Sequence, residues 1–300
     1  MNWQIDVPRL STPNGINFIA LDVDGTLLTP DHKITTATRE SVSRVRAAGV
    51  TVVVASARGP AALRPILEEL ELGEDWFIAY QGALVSRSKN HEVESLLNLR
   101  IARDSARTIE GIANEMDLTI SQYVGERWLV TRMNSEISQA ATITGETPIV
   151  MSSEDLDREP GPHKMMVIVK DPLRRADLHT FARRLPSLVT GTFSHDDYLE
   201  VTSLGVDKAV GIRTLANHLG VDLKLGAAVG DGVNDIGMFK VVSCAIAMGQ
   251  APDEVKAAAD FVTLSNANDG LAAALEALVA MKMLGSAPCS HLLINHKTGR

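Results

Sequence analysis

Three hundred residues, 45% hydrophobic and 22% charged, suit one large or two medium globular domains and exclude a disordered, collagen-like or coiled-coil chain. Lys plus Arg is 29 and Asp plus Glu is 37, a formal net charge of −8, so no basic balance recruits nucleic acid or an anionic membrane. Two cysteines, Cys244 and Cys289, cannot build a disulfide framework and zinc-ligand spacings are absent, which makes a reducing cytoplasm the expected compartment.

Met1 to Gly15 lacks a basic start followed by an apolar run, so no secretory signal is expected. No run of about 20 uncharged apolar residues predicts a membrane span. Asn17 to Leu21 is a short continuous apolar run, as a strand covered on both faces should be. A helix is expected from Thr35 or Thr36, with Val42, Val45 and Ala48 on one face and Gly49 as its stop. Val50 to Ala55 predicts a second buried strand, a helix follows near Pro60, and Trp76 to Ala79 is a third apolar run. Strand and helix alternate, which predicts a parallel α/β sheet.

The pattern changes at about Gly82 to Arg87. A helix over Asp104 to Met116 and strands at Leu118 to Val124, Trp128 to Thr131, Met165 to Val169 and Tyr198 to Val201 are expected, with Gly125-Glu126 as a hairpin turn. Asp171-Pro172 opens a further helix, and acidic Glu154 to Pro162 reads as a loop. The α/β rhythm resumes at Asp207 with a helix carrying Ile212, Leu215 and Leu219. Strands at Gly226 to Val229, Cys244 to Met248 and Phe261 to Thr263 follow. The expected organisation is a discontinuous core over 1–84 and 204–285, an inserted α+β domain over 85–203, and a C-terminal tail over 286–300.

Three predicted strands end in polar clusters: Asp22-Val23-Asp24-Gly25-Thr26, Ser56-Ala57-Arg58, and Asp231-Gly232-Val233-Asn234-Asp235. Ligands of open α/β sheets bind beyond the carboxyl ends of the strands, so the clusters are expected on one rim. Asp22, Asp24, Asp231 and Asp235 would repel one another at neutral pH, their ordinary pKa being about 3.9. A hard divalent cation resolves that repulsion, and all-oxygen ligands suit Mg2+. One Asp-Gly pair alone marks only a turn; two such clusters, each directly after an apolar strand, point to a site. Ser56 and the backbone amides after its strand can hold an oxyanion, although a serine there also serves as a helix cap. Lys208 stands at a helix start, where the macrodipole disfavours a cation; it is either solvated or aimed at an anion.

A carboxylate pair, a hydroxyl, a lysine and an acidic metal cluster are what phosphoryl transfer needs. An Asp nucleophile forms an acyl phosphate, and the Asp two residues on can protonate the leaving oxygen and then activate water.

These residues resemble the haloacid-dehalogenase superfamily of phosphohydrolases, in particular its Cof-type branch. Asp22-Val23-Asp24-Gly25-Thr26-Leu27, Ser56-Ala57-Arg58, Gly205-Val206-Asp207-Lys208 and Gly230-Asp231-Gly232-Val233-Asn234-Asp235 match its four motifs in order. The resemblance implies an α/β fold, a Rossmann-like parallel-sheet core with a large α+β cap between the second and third motifs. It implies that Asp22 is the nucleophile and Asp24 the general acid/base, with Ser56 and Lys208 holding phosphoryl oxygens. It implies a Mg2+ held by Asp22, by Asp24 through its backbone carbonyl, and by Asp231, with Asp235 in support. Gly25, Ala57, Arg58, Gln81 and Asn234 would line the phosphate or substrate side. Two departures stand out: Ala57 replaces a glycine, and Gln81-Gly82 replaces Asn-Gly near the cap entrance, where the longer side chain is expected to reshape the outer pocket.

Trp128, Arg132, His163, Lys164 and His195 of the insert could reach a substrate. Burial in the cap core is the simpler expectation for Trp128, and surface or hydrogen-bonded roles for the histidines. The expected function is a Mg2+-dependent phosphatase of small phosphorylated metabolites, sugar phosphates first, with no nucleic-acid or membrane partner and the oligomeric state open. A phosphomutase shares the aspartyl phosphate and differs in its acceptor. A phospho-receiver module shares acids, hydroxyl and lysine but lacks the Asp-x-Asp spacing and the large insert.

Overall fold

The computed structural model describes residues 15–89 and 92–280; the tail expected from residue 286 lies outside them. Two sheets organise the chain. The first has eight strands: β1 Phe18–Leu21, β2 Thr51–Ala55, β3 Phe77–Ala79, β4 Leu84–Lys89, β5 Glu92–Asn98, and, after the insert, β12 Gly226–Gly230, β13 Cys244–Ala247 and β14 Phe261–Val262. Their spatial order is β14-β13-β12-β1-β2-β3-β4-β5. The six from β14 to β3 run parallel, and β4 and β5 are antiparallel additions.

The apolar run of β1 is explained by burial on both faces. Ile19 and Leu21 pack with Val42, Val45 and Leu275 from helices Thr36–Ala47 and Gly270–Ala280. Phe18 and Ala20 pack on the other face with Ile212, Leu215 and Met238. Each side chain alternates into a dry layer, so no position of the strand is left for a polar residue. The Thr35 hydroxyl caps its helix by accepting from the Thr38 N–H at 3.1 Å, as its position predicts.

Strand order reverses at β1: β2 lies on one side and β12, reached only after the insert, on the other. That switch point opens a crevice at the carboxyl ends of β1 and β12.

The second sheet has six strands, β6 Ile120–Val124, β7 Arg127–Val130, β8 Ile149–Val150, β9 Lys164–Ile168, β10 Val189–His195 and β11 Tyr198–Ser203, ordered β10-β11-β9-β6-β7-β8. Met165, Val167, Leu199 and Val201 face helices Arg103–Glu115 and Arg175–Arg183. Tyr123, Trp128, Met166 and Ile168 lie on the opposite face and join Tyr80, in the turn after β3, and Leu84 of β4 in one buried cluster.

Two local differences from the sequence reading have physical causes. β4 and β5 pair antiparallel onto the first sheet, carrying that sheet past residue 84. Glu154 to Pro162, expected as a loop, instead begins within the short helix Ser153–Arg158, because Ser152 accepts from the Asp155 N–H and acids fill the first turn. Among the described residues no helix is long and apolar enough to cross a membrane.

Candidate active site

Asp22 leaves the sheet at the crevice, its N–H still donating to the Val229 carbonyl of β12 at 3.0 Å. The chain then turns through Val23–Leu27, closed by the Leu28 N–H on the Val23 carbonyl at 3.0 Å. Gly25 has φ +80°, and a Cβ there would stand 2.1 Å from Asp231 Oδ2. Only glycine lets the two acidic turns approach this closely.

Asp235 is fully buried and anchors the turn after β12. Its Oδ2 accepts from the N–H groups of Asp231 and Gly232, each at 2.9 Å. Its Oδ1 receives Lys208 Nζ at 2.6 Å. Lys208 opens helix Lys208–Leu219, whose cap is the Asp207 side chain accepting from the Val210 N–H at 2.8 Å. Capping is therefore done by Asp207, and the Lys208 side chain, 1% exposed, reaches into the crevice. There it also donates to Asp22 Oδ1 at 2.5 Å.

Ser56 follows β2; its N–H donates to the Ile78 carbonyl and its Oγ accepts from the Arg58 N–H at 3.0 Å. Arg58 donates through Nε and Nη2 to both oxygens of Asp24, at 2.8 and 2.6 Å. Asn234 sits half-buried on the turn Val233–Asp235. Asp22, Lys208 and Asp235 are thus in direct contact with Asp231 beside them, while Asp24 and Arg58 form a separate pair at the edge.

The electrostatics of the crevice are unbalanced. Burial raises the Asp22 carboxyl well above the usual carboxylate range, and the charges of Asp235 and Asp231 add to this against the pull of Lys208. Burial and the Asp235 charge push Asp231 up to about 6. Burial also opposes the Lys208 charge, but Asp22 and Asp235 outweigh it and hold the ammonium above its ordinary value. Three carboxylates share one ammonium. Asp22, Asp231 and Asp235 each offer an oxygen, all within 4.8 Å of one another. Hard oxygen donors carrying surplus negative charge fit a hard divalent cation.

Gln81 does not open on an outer pocket: it is 4% exposed and donates through Nε2 to Glu200 Oε2 at 2.7 Å. Trp128 is buried and stacked on Tyr123, ring centroids 5.7 Å apart. Arg132 pairs with Asp117 in the open. The His163 ring is buried between Asn98 Oδ1, 2.9 Å from Nε2, and the Gly125 N–H, which donates to Nδ1 at 3.2 Å. Burial lowers its pKa to about 4, so Nδ1 accepts and Nε2 donates. Lys164 hydrogen-bonds a rim loop through its side chain, donating to the Ala57 carbonyl at 2.8 Å.

Gln250 is a further site residue, outside the three polar clusters of the sequence. Its Nε2 donates to the Gly25 carbonyl at 2.6 Å and lies 3.2 Å from Asp231 Oδ2, holding the two acidic turns together. It follows β13, the next parallel strand, so the carboxyl-end rule that found the other clusters also points to it.

The family model for haloacid dehalogenase-like hydrolases matches residues 19–275. The chain belongs to this family. "Putative phosphatase YxeH" of Bacillus subtilis is 30% identical to this hydrolase over 271 residues, covering 88% of this chain and 98% of the relative. The "5-amino-6-(5-phospho-D-ribitylamino)uracil phosphatase YcsE" of the same organism is 26% identical over 265 residues, covering 87% and 94%. The crystal structure of a haloacid dehalogenase-like hydrolase from Bacteroides thetaiotaomicron superposes with a TM-score of 0.79 at 25% identity, covering 88% of this chain and 99% of that one. Family, fold and relatives agree on an enzyme of the phosphatase class.

Proposed function

We propose that this hydrolase is a Mg2+-dependent phosphatase of small phosphorylated metabolites, sugar phosphates first, working in the cytoplasm through an aspartyl phosphate on Asp22. The observation that carries the reading is the contact of Lys208 with Asp22 at the β1–β12 crevice. The ammonium orients the carboxylate and offers positive charge where a phosphoryl group must enter.

In the first step a free oxygen of the Asp22 carboxylate attacks phosphorus, the ester P–O bond breaks, and Asp24, released by Arg58 and carrying a proton taken from solvent, gives that proton to the departing alcohol oxygen. In the second, Asp24, now a carboxylate, takes a proton from water, whose oxygen attacks phosphorus; the Asp22–phosphate bond breaks and inorganic phosphate leaves. Ser56 Oγ, Lys208 Nζ and the backbone amides of the two turns receive the phosphoryl oxygens. Asp22, the Asp24 carbonyl and Asp231 would hold Mg2+, Asp235 supporting them, and the bound cation supplies charge neutralisation at the phosphoryl group. Gly25 and Asn234 border the phosphate, and Arg58 faces the leaving group once it releases Asp24. The covering sheet excludes bulk water and sets selectivity.

The test is phosphate release from a panel of phosphorylated metabolites with Mg2+ present, wild type against Asp22→Asn. Release by the wild type and none by the folded variant supports the reading. An isomerised ester without free phosphate points to the mutase, and undiminished release by Asp22→Asn overturns the nucleophile.

A further inference from the structure

The loop Ser56–Arg58 is pinned at every carbonyl. The Ser56 carbonyl accepts from the Gln81 N–H at 2.9 Å and the Arg58 carbonyl from the Tyr80 N–H at 3.0 Å. The middle one, on Ala57, accepts from Lys164 Nζ at 2.8 Å, a side chain on the facing sheet. Ala57 C=O and Arg58 N–H belong to one rigid peptide plane. That plane is held at its oxygen by Lys164 and at its nitrogen by Ser56 Oγ, which accepts from the Arg58 N–H. An acceptor bond to the Arg58 N–H leaves the Ser56 hydroxyl proton free to point at a ligand oxygen.

Lys164 is itself fixed. Its ammonium is 3.3 Å from Glu200 Oε2 and 4.8 Å from the Tyr123 ring centroid. Glu200 accepts from Ser194 Oγ at 3.0 Å and from Gln81 Nε2 at 2.7 Å. Gln81 and Tyr80 both have left-handed backbone, φ 57° and 53°, which side-chain-bearing residues hold only where their surroundings impose it. Lys164 and Glu200 are 5% and 6% exposed. A buried ion pair contributes little net stability over apolar residues of the same volume. Its evident effect here is orientation.

We propose that Lys164, seated by Glu200, is a positioning residue: it docks the six-stranded sheet onto the Ala57 carbonyl and so fixes the peptide plane that aims the Ser56 hydroxyl and Arg58. The Ser56 loop is then in working geometry only while the insert is docked. This rests on the phosphatase reading above.

The test uses the full chain with Mg2+ and two esters of different leaving-group size, methyl phosphate and p-nitrophenyl phosphate. Lys164→Met removes the donor and keeps the apolar stem. Its kcat falls on the order of 10- to 100-fold, by the same factor for both esters, as misplacement of a loop by about 1 Å produces. Lys164→Arg restores a donor and recovers most of the loss. Glu200→Gln, which keeps the volume, shows a smaller loss in the same ratio and carries the test if Lys164→Met does not fold. Two results overturn the proposal: unchanged kcat with only a lowered Tm, or a loss confined to the larger ester, which would make Lys164 a leaving-group contact. A wild type inert toward both esters contradicts the phosphatase reading as well, and is recognised before any variant is compared.

Discussion

Lys208 and Asp22 stand 186 positions apart in the chain and meet at 2.5 Å, one of them 1% and the other 6% exposed. The same ammonium touches Asp235 at 2.6 Å, so a single cation holds two buried carboxylates from the two halves of the core.

Lys208→Met should therefore damage both stability and turnover. Breaking a buried ion pair on one side leaves charges without a partner, a cost of roughly 3–5 kcal/mol. Loss of a preorganised cation at the phosphoryl site should lower kcat on the order of 100- to 1,000-fold. Chemical denaturation and steady-state phosphate release measure the two effects; a variant as stable and as active as the wild type would show that the contact does neither.

The surplus carboxylates predict that Mg2+ stabilises the fold. A ligand bound to the native state at 100 times its Kd adds about 2.7 kcal/mol by mass action. The Tm should rise with added Mg2+, and a chelator should abolish turnover reversibly. Asp231→Asn should weaken the Mg2+ dependence of the Tm. A Tm indifferent to the cation in the wild type would contradict the assignment of Asp22, the Asp24 carbonyl and Asp231 as its ligands.

His163 predicts an acid-sensitive element in the insert. Burial holds its folded pKa at about 4, below the ordinary 6.5, so between those values the unfolded chain binds a proton that the folded chain does not. Stability contributed by the neutral ring is complete above pH 6.5 and is lost as pH falls toward 4, by about 1.4 kcal/mol per unit. Urea unfolding of His163→Gln across pH 7 to 4.5 should show a shallower acid loss than the wild type. Parallel curves would mean that this ring is not the titrating group.

Gly25→Ala should disable the site. The added Cβ would meet Asp231 at 2.1 Å and would sit on a backbone with φ +80°, so either the Asp22–Asp24 turn or the Asp231 turn must move. Phosphate release should fall at least 100-fold, as loss of near-attack geometry allows. Wild-type activity would show that the two turns do not act together.

What was legible in the sequence follows from how each feature is encoded. β1 and β12 are buried on both faces, so they appear as unbroken apolar runs, and Asp22 and Asp231 stand out as the first acids after them. The pairing of β4 and β5 onto the first sheet was hidden because β4 runs outward from buried Leu84 and Val85 to exposed Lys89, mixing serines and charges that read as the start of something new. The bond between Gln81, in the turn after β3, and Glu200, on β11, joins residues 119 positions apart and leaves no local pattern. Lys164 could be named as a cleft candidate, but the Ala57 carbonyl it would meet is set by sheet docking, which periodicity does not encode.

The atom that receives phosphorus decides the mechanism. Enzyme mixed with a turned-over ester and Mg2+, quenched within one turnover and treated with borohydride, should carry homoserine at position 22, the reduction product of an acyl phosphate on the residue that Lys208 holds. Mass spectrometry of the peptide spanning Phe18 to Leu28 reads this directly. Steady phosphate release with an unmodified Asp22, or with the reduced residue at Asp24 or Asp231, would contradict it.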